Sequence, residues 1–302
     1  MSGNGHIPMW ISRMVYTVCI LHTEEREMLR LPHFRWKPER VTMSSFRESE
    51  FFCKRGHLII RGTAFLPIKS CKGVVIVSHG LNQNRKPFYE YGQVFSAFGY
   101  AVFTFDFCGG CPAPGCESDG SHLTMSGETE CLDLMAVIAY VRGLPYMHDK
   151  NIFLLGYSQG GFVSALVAAR NPQLHINGLI LLSPAFCIPD HARAGKLAGG
   201  SYDVQNVPMV ISGGVMPVGK NFHDTVFFMD IWKEIRDYHG DVLLVHGKKD
   251  SVVDYRYAEK ARMIYGPEKC RLMLMDSADH CYTAVQQDMI YEWIREFLTG
   301  KC

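Results

Sequence analysis

The stretch Gly156-Tyr157-Ser158-Gln159-Gly160 decides the fold, because it is a G-x-S-x-G motif set between two different kinds of element. A short apolar run, residues 151–155, precedes the motif, and a small-residue stretch of helical length, residues 159–170, follows it. Such a turn between strand and helix lifts the serine hydroxyl above the sheet edge, where neighbours larger than glycine would collide. Chance occurrence in glycine-rich sequence is the alternative, but this context favours Ser158 as a nucleophile.

Strand-like and helix-like stretches alternate along most of the chain. Six short apolar runs are typical of strands buried on both faces of a parallel sheet, and they are residues 73–78, 101–105, 151–155, 178–182, 241–245 and 271–275. Five stretches between and after them have helical length and patterning, namely residues 88–98, 127–142, 159–170, 255–265 and 283–297. Residues 57–65, with Gly62, suit an antiparallel edge hairpin. We therefore predict an α/β fold, with a mostly parallel twisted sheet covered by helices on both faces.

Two parts of the chain depart from this alternation. Residues 186–240 are rich in Gly, Pro and Met, include a helix-like stretch at 225–238, and are too long for a connecting loop. We predict that they form a cap over the carboxyl ends of the strands, inserted into one domain that spans residues 50–299. Residues 1–49 lack a sustained period and are predicted to be a loosely packed or poorly ordered extension, with a targeting or partner-binding arm as the alternative. A short amphipathic helix at 12–31 is compatible with the sequence.

A serine hydroxyl is a weak nucleophile at neutral pH, so the chain must supply a base and a group that orients this base. In the order Ser, acid, His that accompanies this motif, Asp250 is the predicted acid, because it follows a predicted strand in an H-G-x-x-D arrangement. Asp254 is the alternative acid. His280 follows the last predicted strand and is the predicted base, whereas His246 precedes the acid and is assigned a structural role in the loop that carries Asp250.

Acyl transfer also needs N–H donors for the oxyanion of the tetrahedral intermediate. One donor is usually the backbone N–H after the nucleophile, and the other comes from the loop after an early strand. Gln159 and Leu81 hold these positions, and Gly80 lets the backbone approach a substrate closely. We interpret His79 as a buried hydrogen-bonding residue rather than a catalyst.

The composition excludes several classes of protein. The chain has 302 residues, of which 47% are hydrophobic and 20% charged, so it is neither disordered nor fibrous. Its 31 basic and 30 acidic residues nearly cancel, and we expect no nucleic-acid partner. No stretch contains about 20 mainly apolar residues, so we expect no transmembrane helix. Arg13 interrupts the apolar run at residues 9–20 and argues against a signal peptide, so a cytoplasmic location is expected.

The chain contains eleven cysteines, and three of them, Cys108, Cys111 and Cys116, crowd one glycine-rich loop. A zinc site there would need a fourth ligand, and the sequence has no second C-x-x-C pair. We expect free thiols, with a reversible disulfide as the alternative, and no metal or organic cofactor. Cys281, beside His280, is expected to be a small packing residue rather than a second nucleophile.

Together these motifs resemble those of the α/β-hydrolase superfamily over residues 50–299, and more narrowly those of the capped cinnamoyl/feruloyl esterases. The matching pieces are residues 79–80, 105–107, 117–120, 156–161, 183–185, 246–250 and 278–281. In that subgroup a cap aspartate and a cap tyrosine contact the phenolic end of the substrate, and the resemblance assigns these roles to Asp190 and Tyr202. The chain departs from the family where D-F-R-G-H-G is usual, since residues 106–111 read D-F-C-G-G-C.

The resemblance implies a serine carboxylic ester hydrolase that acts through an acyl-enzyme. Its expected substrate is a small-molecule ester of an aromatic (hydroxycinnamic) or other hydrophobic acid, which enters between cap and sheet. An acyltransferase, a monoacylglycerol lipase or a peptidase with the same triad is one alternative. A second alternative is a non-catalytic binding protein with the hydrolase fold, and the sequence leaves open whether the chain forms a homodimer.

Overall fold

The computed structural model describes residues 45–112 and 115–300. Within this part, the strands β1 to β12 are Phe46–Arg55, Leu58–Pro67, Gly73–Ser78, Tyr100–Phe105, Ile152–Tyr157, Ile176–Leu182, Lys196–Leu197, Gly200–Ser201, Val210–Ile211, Val218–Gly219, Asp241–Gly247 and Cys270–Met275. The helices α1 to α8 are Tyr89–Ala97, Gly127–Gly143, Gln159–Arg170, Ile188–Arg193, Lys220–Val226, Ile231–Ile235, Arg256–Tyr265 and Ala284–Leu298. Short 3-10 turns occur at Lys86–Phe88 and Pro172–Leu174.

Eight strands form the central sheet, in the order β1-β2-β4-β3-β5-β6-β11-β12. In this sheet the pairs β1/β2 and β2/β4 are antiparallel, and the pairs β4/β3, β3/β5, β5/β6, β6/β11 and β11/β12 are parallel. Every residue of β3 is buried, as expected for a strand covered on both faces. Because parallel strands end at the same edge, the loops after β3, β5, β11 and β12 meet there, and these loops carry the predicted site residues.

Helices cover both faces of the sheet, which confirms the predicted fold class. On one face, α2 and α3 contribute buried residues such as Leu134 and Phe162 to a large apolar cluster. On the other face, α1 and α8 contribute Phe95, Ile290 and Ile294 to a second cluster. These helices bury apolar side chains against the sheet, and this burial is the main stabilising term for both layers.

The first strand begins earlier than the sequence indicates. β1 starts at Phe46, so the predicted boundary at residue 50 falls inside this strand. β1 pairs with β2 along its whole length, and its inward residues Phe51 and Cys53 reach the core while charged residues face outward. These charges hide the strand from an apolar pattern, and pairing with β2 supplies its hydrogen bonds. Residues 1–44, with the predicted helix at 12–31, lie outside the described residues.

The segment between β6 and β11, residues 183–240, is called the cap segment below. The single helix predicted at residues 225–238 is wrong. α5 already ends at Val226, and a separate short helix, α6, spans Ile231–Ile235. Asp230 caps the amino-terminal end of α6, because its side chain accepts hydrogen bonds from the N–H groups of Trp232 and Lys233. The cap segment contacts the loop after β3, where the Asn82 side chain donates to the Val215 carbonyl at 3.2 Å.

No helix among the described residues is long and apolar enough to cross a membrane.

Candidate active site

Ser158 stands alone between β5 and α3, in a backbone conformation that few non-glycine residues adopt. Its φ is 54° and its ψ is −118°. The turn is tight enough that a Cβ atom at Gly156 would lie 2.3 Å from the Gly160 carbonyl oxygen, and a Cβ at Gly160 would lie 2.2 Å from the Ser78 carbonyl oxygen. The Ser158 N–H donates to the Leu182 carbonyl at 2.9 Å, so β6 holds the turn in place. Both glycines of the motif are therefore required sterically.

In the structure Ser158, His280 and Asp250 are linked by two consecutive hydrogen bonds. His280 Nε2 lies 3.0 Å from Ser158 Oγ, and His280 Nδ1 lies 2.7 Å from Asp250 Oδ2. A carboxylate can only accept at Nδ1, so this nitrogen carries the proton and Nε2 is left as the acceptor for the serine hydroxyl. This is the arrangement in which a histidine can take a proton from a serine.

Asp250 is fixed as an ionised carboxylate. His246 Nε2 lies 3.0 Å from Asp250 Oδ2, and the N–H groups of Val252 and Val253 donate to Oδ1 at 2.9 and 2.8 Å. Burial disfavours the charge, but the hydrogen bonds from His246 and His280 outweigh it and hold the pKa of Asp250 well below its usual range. The alternative acid, Asp254, instead pairs with Arg256 at the surface.

Two groups that the sequence analysis missed fix the loop of His280. The Asp279 carboxylate accepts the His280 N–H at 2.7 Å and the Ser251 N–H at 2.9 Å, which ties the loops after β12 and β11 together. The Tyr157 hydroxyl donates to the His280 carbonyl at 3.0 Å. Asp279 and Tyr157 are direct neighbours of triad residues in sequence, and that adjacency is the signal that could have identified them.

The two predicted oxyanion donors lie beside the nucleophile. A Cβ atom at Gly80 would lie 3.2 Å from Ser158 Cβ, so the backbone next to Leu81 approaches the serine closely. The N–H groups on either side of Leu81 are taken, since Gly80 donates to the Gln83 side chain and Asn82 to the Gly110 carbonyl. Within the described ranges, no hydrogen bond uses the N–H of Leu81 or of Gln159. Both are therefore free to donate to a substrate oxygen.

The loop after β3, residues 79–85, carries Leu81 and is called the oxyanion loop below. His79 holds this loop in place and is not part of the triad. Its Nε2 accepts the Phe107 N–H at 3.0 Å, so Nδ1 carries the proton and donates to the Gly80 carbonyl at 2.8 Å. Burial lowers the pKa of His79, which agrees with a neutral ring. The imidazole thereby links the loop after β3 to the loop after β4.

A buried ion pair, which the sequence analysis did not single out, supports the same loop. The Arg85 side chain is 3% exposed, and its Nη1 lies 2.6 Å from Asp106 Oδ2. Its Nη2 reaches Glu117 at 2.6 Å and Glu50 at 3.1 Å, and the Arg85 N–H donates to Asp106 Oδ1 at 2.7 Å. Asp106 follows β4, so the pair joins the ends of β4 and β3. Arg85 lay outside every recognised motif, and only its spatial neighbours reveal its role.

The described residues of the cysteine loop do not provide a fitting metal site. Donor atoms of His79, Asp106 and Cys116 lie within 4.8 Å of one another. Both His79 nitrogens are hydrogen-bonded, however, and the Asp106 carboxylate is committed to Arg85 and the Glu117 N–H. Burial and the neighbouring Asp133 raise the pKa of the Cys108 thiol to about 12. These donors are occupied by the protein itself, so they do not fit a cation.

The residues proposed for the phenolic end of the substrate, Asp190 and Tyr202, lie in the cap segment, and both have protein partners. Asp190, on α4, accepts the Tyr257 hydroxyl at 2.7 Å and an Arg193 N–H at 2.5 Å. The Tyr202 hydroxyl donates to the Ala192 carbonyl at 3.0 Å and lies 2.7 Å from His223 Nδ1. The bond from Asp190 to Tyr257 joins the cap segment to α7. A polar cleft of about 490 Å³ runs between α4 and the loop of Asp250.

The family model described as "Hydrolase_4: Serine aminopeptidase, S33" matches residues 69–202. Among curated proteins, a caffeoylshikimate esterase of Arabidopsis thaliana is 29% identical over 161 residues, which are 52% of this chain and 47% of the relative. A monoglyceride lipase of Rattus norvegicus is 31% identical over 120 residues, 39% of this chain and 37% of the relative. The chain thus spans about half or less of the length of these relatives.

Two solved structures extend the likeness to the whole described fold. The structure of Est1E from Butyrivibrio proteoclasticus with ferulic acid bound is 24% identical with a TM-score of 0.75, and the match covers 83% of this chain and 98% of that one. The esterase Pf2001 of Pyrococcus furiosus is 19% identical with a TM-score of 0.63, and covers 88% of this chain and 95% of that one. At these identities the likeness establishes the fold. With its mostly parallel sheet and its strand–turn–helix at Ser158, the chain has the α/β-hydrolase fold.

Proposed function

We propose that this chain is a serine carboxylic ester hydrolase that works through an acyl-enzyme. The proposal rests on the hydrogen bonds that link Asp250, His280 and Ser158. His280 Nδ1 lies 2.7 Å from Asp250 Oδ2, and His280 Nε2 lies 3.0 Å from Ser158 Oγ. Names of the relatives add support, since they include an esterase and a lipase, both of which act on esters.

The chemistry follows from the roles that each atom can take. As Ser158 Oγ attacks the ester carbonyl carbon, His280 Nε2 takes the hydroxyl proton, and the Asp250 carboxylate stabilises the imidazolium. The N–H groups of Leu81 and Gln159 donate to the oxyanion of the tetrahedral intermediate. His280 then returns the proton to the leaving alcohol, and the acyl group remains on Ser158.

Hydrolysis of the acyl-enzyme repeats these steps with water. His280 removes a proton from the attacking water, a second oxyanion forms at the same donors, and the proton returns to Ser158 Oγ as the carboxylic acid leaves. Because the acyl-enzyme is common to several reactions, an acyltransferase, which would use another alcohol, and a peptidase, which would begin from an amide, remain alternatives to be separated by product analysis.

The proposed substrates are small-molecule esters of aromatic, hydroxycinnamic or other hydrophobic acids. Support comes from the caffeoylshikimate esterase among the relatives and from the ferulic acid in the similar solved structure. The monoglyceride lipases favour an aliphatic acyl group instead. We propose that the cap segment covers the acyl site, with Asp190 and Tyr202 as substrate contacts. A phenolic hydroxyl would then share or replace the Tyr257 hydroxyl at Asp190, since that hydroxyl occupies one carboxylate oxygen.

The first experiment tests the triad. Wild-type protein is expected to react with a fluorophosphonate probe and to hydrolyse a short p-nitrophenyl ester, and Ser158→Ala is expected to lose both properties. Ser164→Ala is the matched control, because Ser164 lies within α3, six residues after Ser158, is fully buried and has no part in the site. Absence of labelling in folded wild-type protein would favour the non-catalytic binding protein, and turnover by Ser158→Ala would refute the mechanism.

The second experiment tests the substrate class. We compare kcat/KM for methyl ferulate, a monoacylglycerol and a short aliphatic p-nitrophenyl ester, because specificity is read from this ratio. A preference for methyl ferulate supports the aromatic class, and a preference for the monoacylglycerol replaces it with the lipase alternative. Added alcohols and peptides identify an acyltransferase or a peptidase from the products.

A further inference from the structure

A buried carboxyl group lies next to the proposed oxyanion site, and the triad chemistry does not use it. Glu130, near the start of α2, is 1% exposed, and its Oε2 lies 2.6 Å from Nε2 of Gln159. Gln159 is 2% exposed, follows the nucleophile directly and supplies one of the two proposed oxyanion N–H groups. The Glu130 side chain therefore holds the residue on which transition-state stabilisation depends.

No cation in the described part of the chain compensates this carboxyl group. Within the described ranges, no Lys, Arg or His nitrogen forms an ion pair with Glu130. Asp133 lies one turn further along α2, but its carboxylate is taken by Arg55 of β1 at 2.5 Å and by the Cys108 N–H at 2.9 Å. Since an unpaired buried charge is costly, the neutral acid is the favoured form of Glu130.

Burial is the largest influence on the pKa of Glu130, the Gln159 hydrogen bond lowers this pKa, and Asp133 raises it. Asp133 is the charged group that faces it and disfavours a second negative charge, while the nearby Cys131 thiol has a pKa raised mainly by burial. From α3, Gln159 offers an uncharged amide, and the Met125 thioether lies 3.8 Å from that amide nitrogen. Burial raises the pKa of Glu130 to about 8, against the lowering effect of the Gln159 hydrogen bond.

We propose that Glu130 is a positioning residue of the oxyanion site that works as the neutral carboxylic acid, and that its ionisation suppresses acyl transfer. The inference rests on the proposed function. Two physical effects support it. The neutral acid fixes the Gln159 side chain and with it the first residue of α3, and a negative charge at Glu130 opposes the charge that develops on the oxyanion.

The test compares pH profiles of kcat. Wild-type kcat is expected to fall as pH rises through about 8, because Glu130 then loses its proton. Glu130→Gln keeps an oxygen that accepts from Gln159 but cannot ionise, so the alkaline fall should vanish. Glu130→Ala removes the acceptor and should lower kcat about ten- to a hundredfold at every pH, with KM little changed, because the donor loses its position. Glutamine at this position should rescue most of that loss.

Glu128→Gln is the matched control. Glu128 lies two residues earlier on α2, is half-buried, and pairs with Arg170 at 2.9 Å, so its neutralisation should leave the alkaline fall in place. The proposal is overturned if Glu130→Gln keeps the wild-type alkaline fall, if wild-type kcat shows no fall while the protein stays folded, or if Glu130→Ala equals wild type.

A second measurement does not depend on catalysis. An acid whose folded pKa is raised stabilises the folded state below its unfolded pKa of 4.5, and loses this contribution as pH rises toward 8. Urea unfolding should therefore show wild type losing stability relative to Glu130→Gln across that window. A difference that does not change with pH would overturn the proposal. If wild type hydrolyses no ester but this stability difference appears, the proposed function fails while the neutral state of Glu130 stands.

Discussion

Replacement of Asp106 by asparagine should destabilise the protein strongly, because it removes the buried charge that anchors the oxyanion loop. Asp106 Oδ1 accepts the Arg85 N–H at 2.7 Å, and Oδ2 accepts Arg85 Nη1 at 2.6 Å and the Glu117 N–H at 2.9 Å. An amide has one acceptor oxygen, so in either orientation its NH₂ group faces an N–H donor. At least one of these bonds becomes a donor-to-donor contact.

The magnitude follows from the burial of the partners. Breaking a buried ion pair from one side costs about 3 to 5 kcal/mol, because it leaves a charge without its partner. Arg85 keeps Glu117 and Glu50, but these acids are 42% and 64% exposed, so they compensate only in part. We expect a loss of about 2 to 4 kcal/mol in the free energy of unfolding. For a domain of this size the melting temperature should then fall by about 4 to 16 °C.

Urea unfolding and thermal melts followed by circular dichroism measure this loss. Lys269→Gln is the matched control, because Lys269 pairs with Asp241 at the surface at 3.1 Å and its loss should cost about 1 kcal/mol or less. Fluorophosphonate labelling of Ser158 should also slow at temperatures where Asp106→Asn is still folded, since the loop that carries Leu81 loses its anchor. Stability of Asp106→Asn within about 1 kcal/mol of both wild type and the control would refute the reasoning.

Three further predictions concern the triad and its turn. Asp250→Asn should lower kcat about 10³- to 10⁴-fold with KM little changed, whereas an equal loss in Asp254→Asn would contradict the assignment of the acid. Because the folded pKa of Asp250 is depressed below 3.8, its stabilisation should be constant above about pH 5 and shrink as pH falls further, which urea titrations of wild type against Asp250→Asn measure. Gly160→Ala should destabilise by more than about 2 kcal/mol, since its Cβ would lie 2.2 Å from the Ser78 carbonyl oxygen. Gly143→Ala, with no atom within 4 Å of its Cβ, is the control, and equal stability of the two variants would refute the steric argument.

Most strands and helices of the core could be predicted from the sequence, because their apolar runs leave few alternatives. The run at residues 73–78 matches β3, and the stretch at 159–170 matches α3, in each case at both ends. β1 was not predicted, because its outward charges mask the apolar pattern, and pairing with β2 stabilises it. The helix predicted at 225–238 failed because Asp230 caps a new helix in the middle of that stretch.

The supporting groups of the site could not be predicted in the same way. Asp106 and Arg85 are 21 residues apart in sequence, and Glu130 and Gln159 are 29 apart, with no local motif that relates either pair. Their roles arise because the ends of β4 and β3, or the faces of α2 and α3, are brought together by packing. A sequence pattern reports only near neighbours, whereas burial and partner charge depend on the whole fold.

The sequence by itself determined the chemistry that depends on local geometry: a serine on a turn that needs glycine on both sides, an acid and a histidine after parallel strands, and a backbone N–H group directly after the nucleophile. Only the tertiary structure decided which acid reaches His280, which groups hold Asp250 ionised, and that Glu130 is buried without an ion-pair partner among the described residues. The physical reason is that hydrogen-bond partners across 122 residues, as between His280 and Ser158, are set by the sheet that joins them.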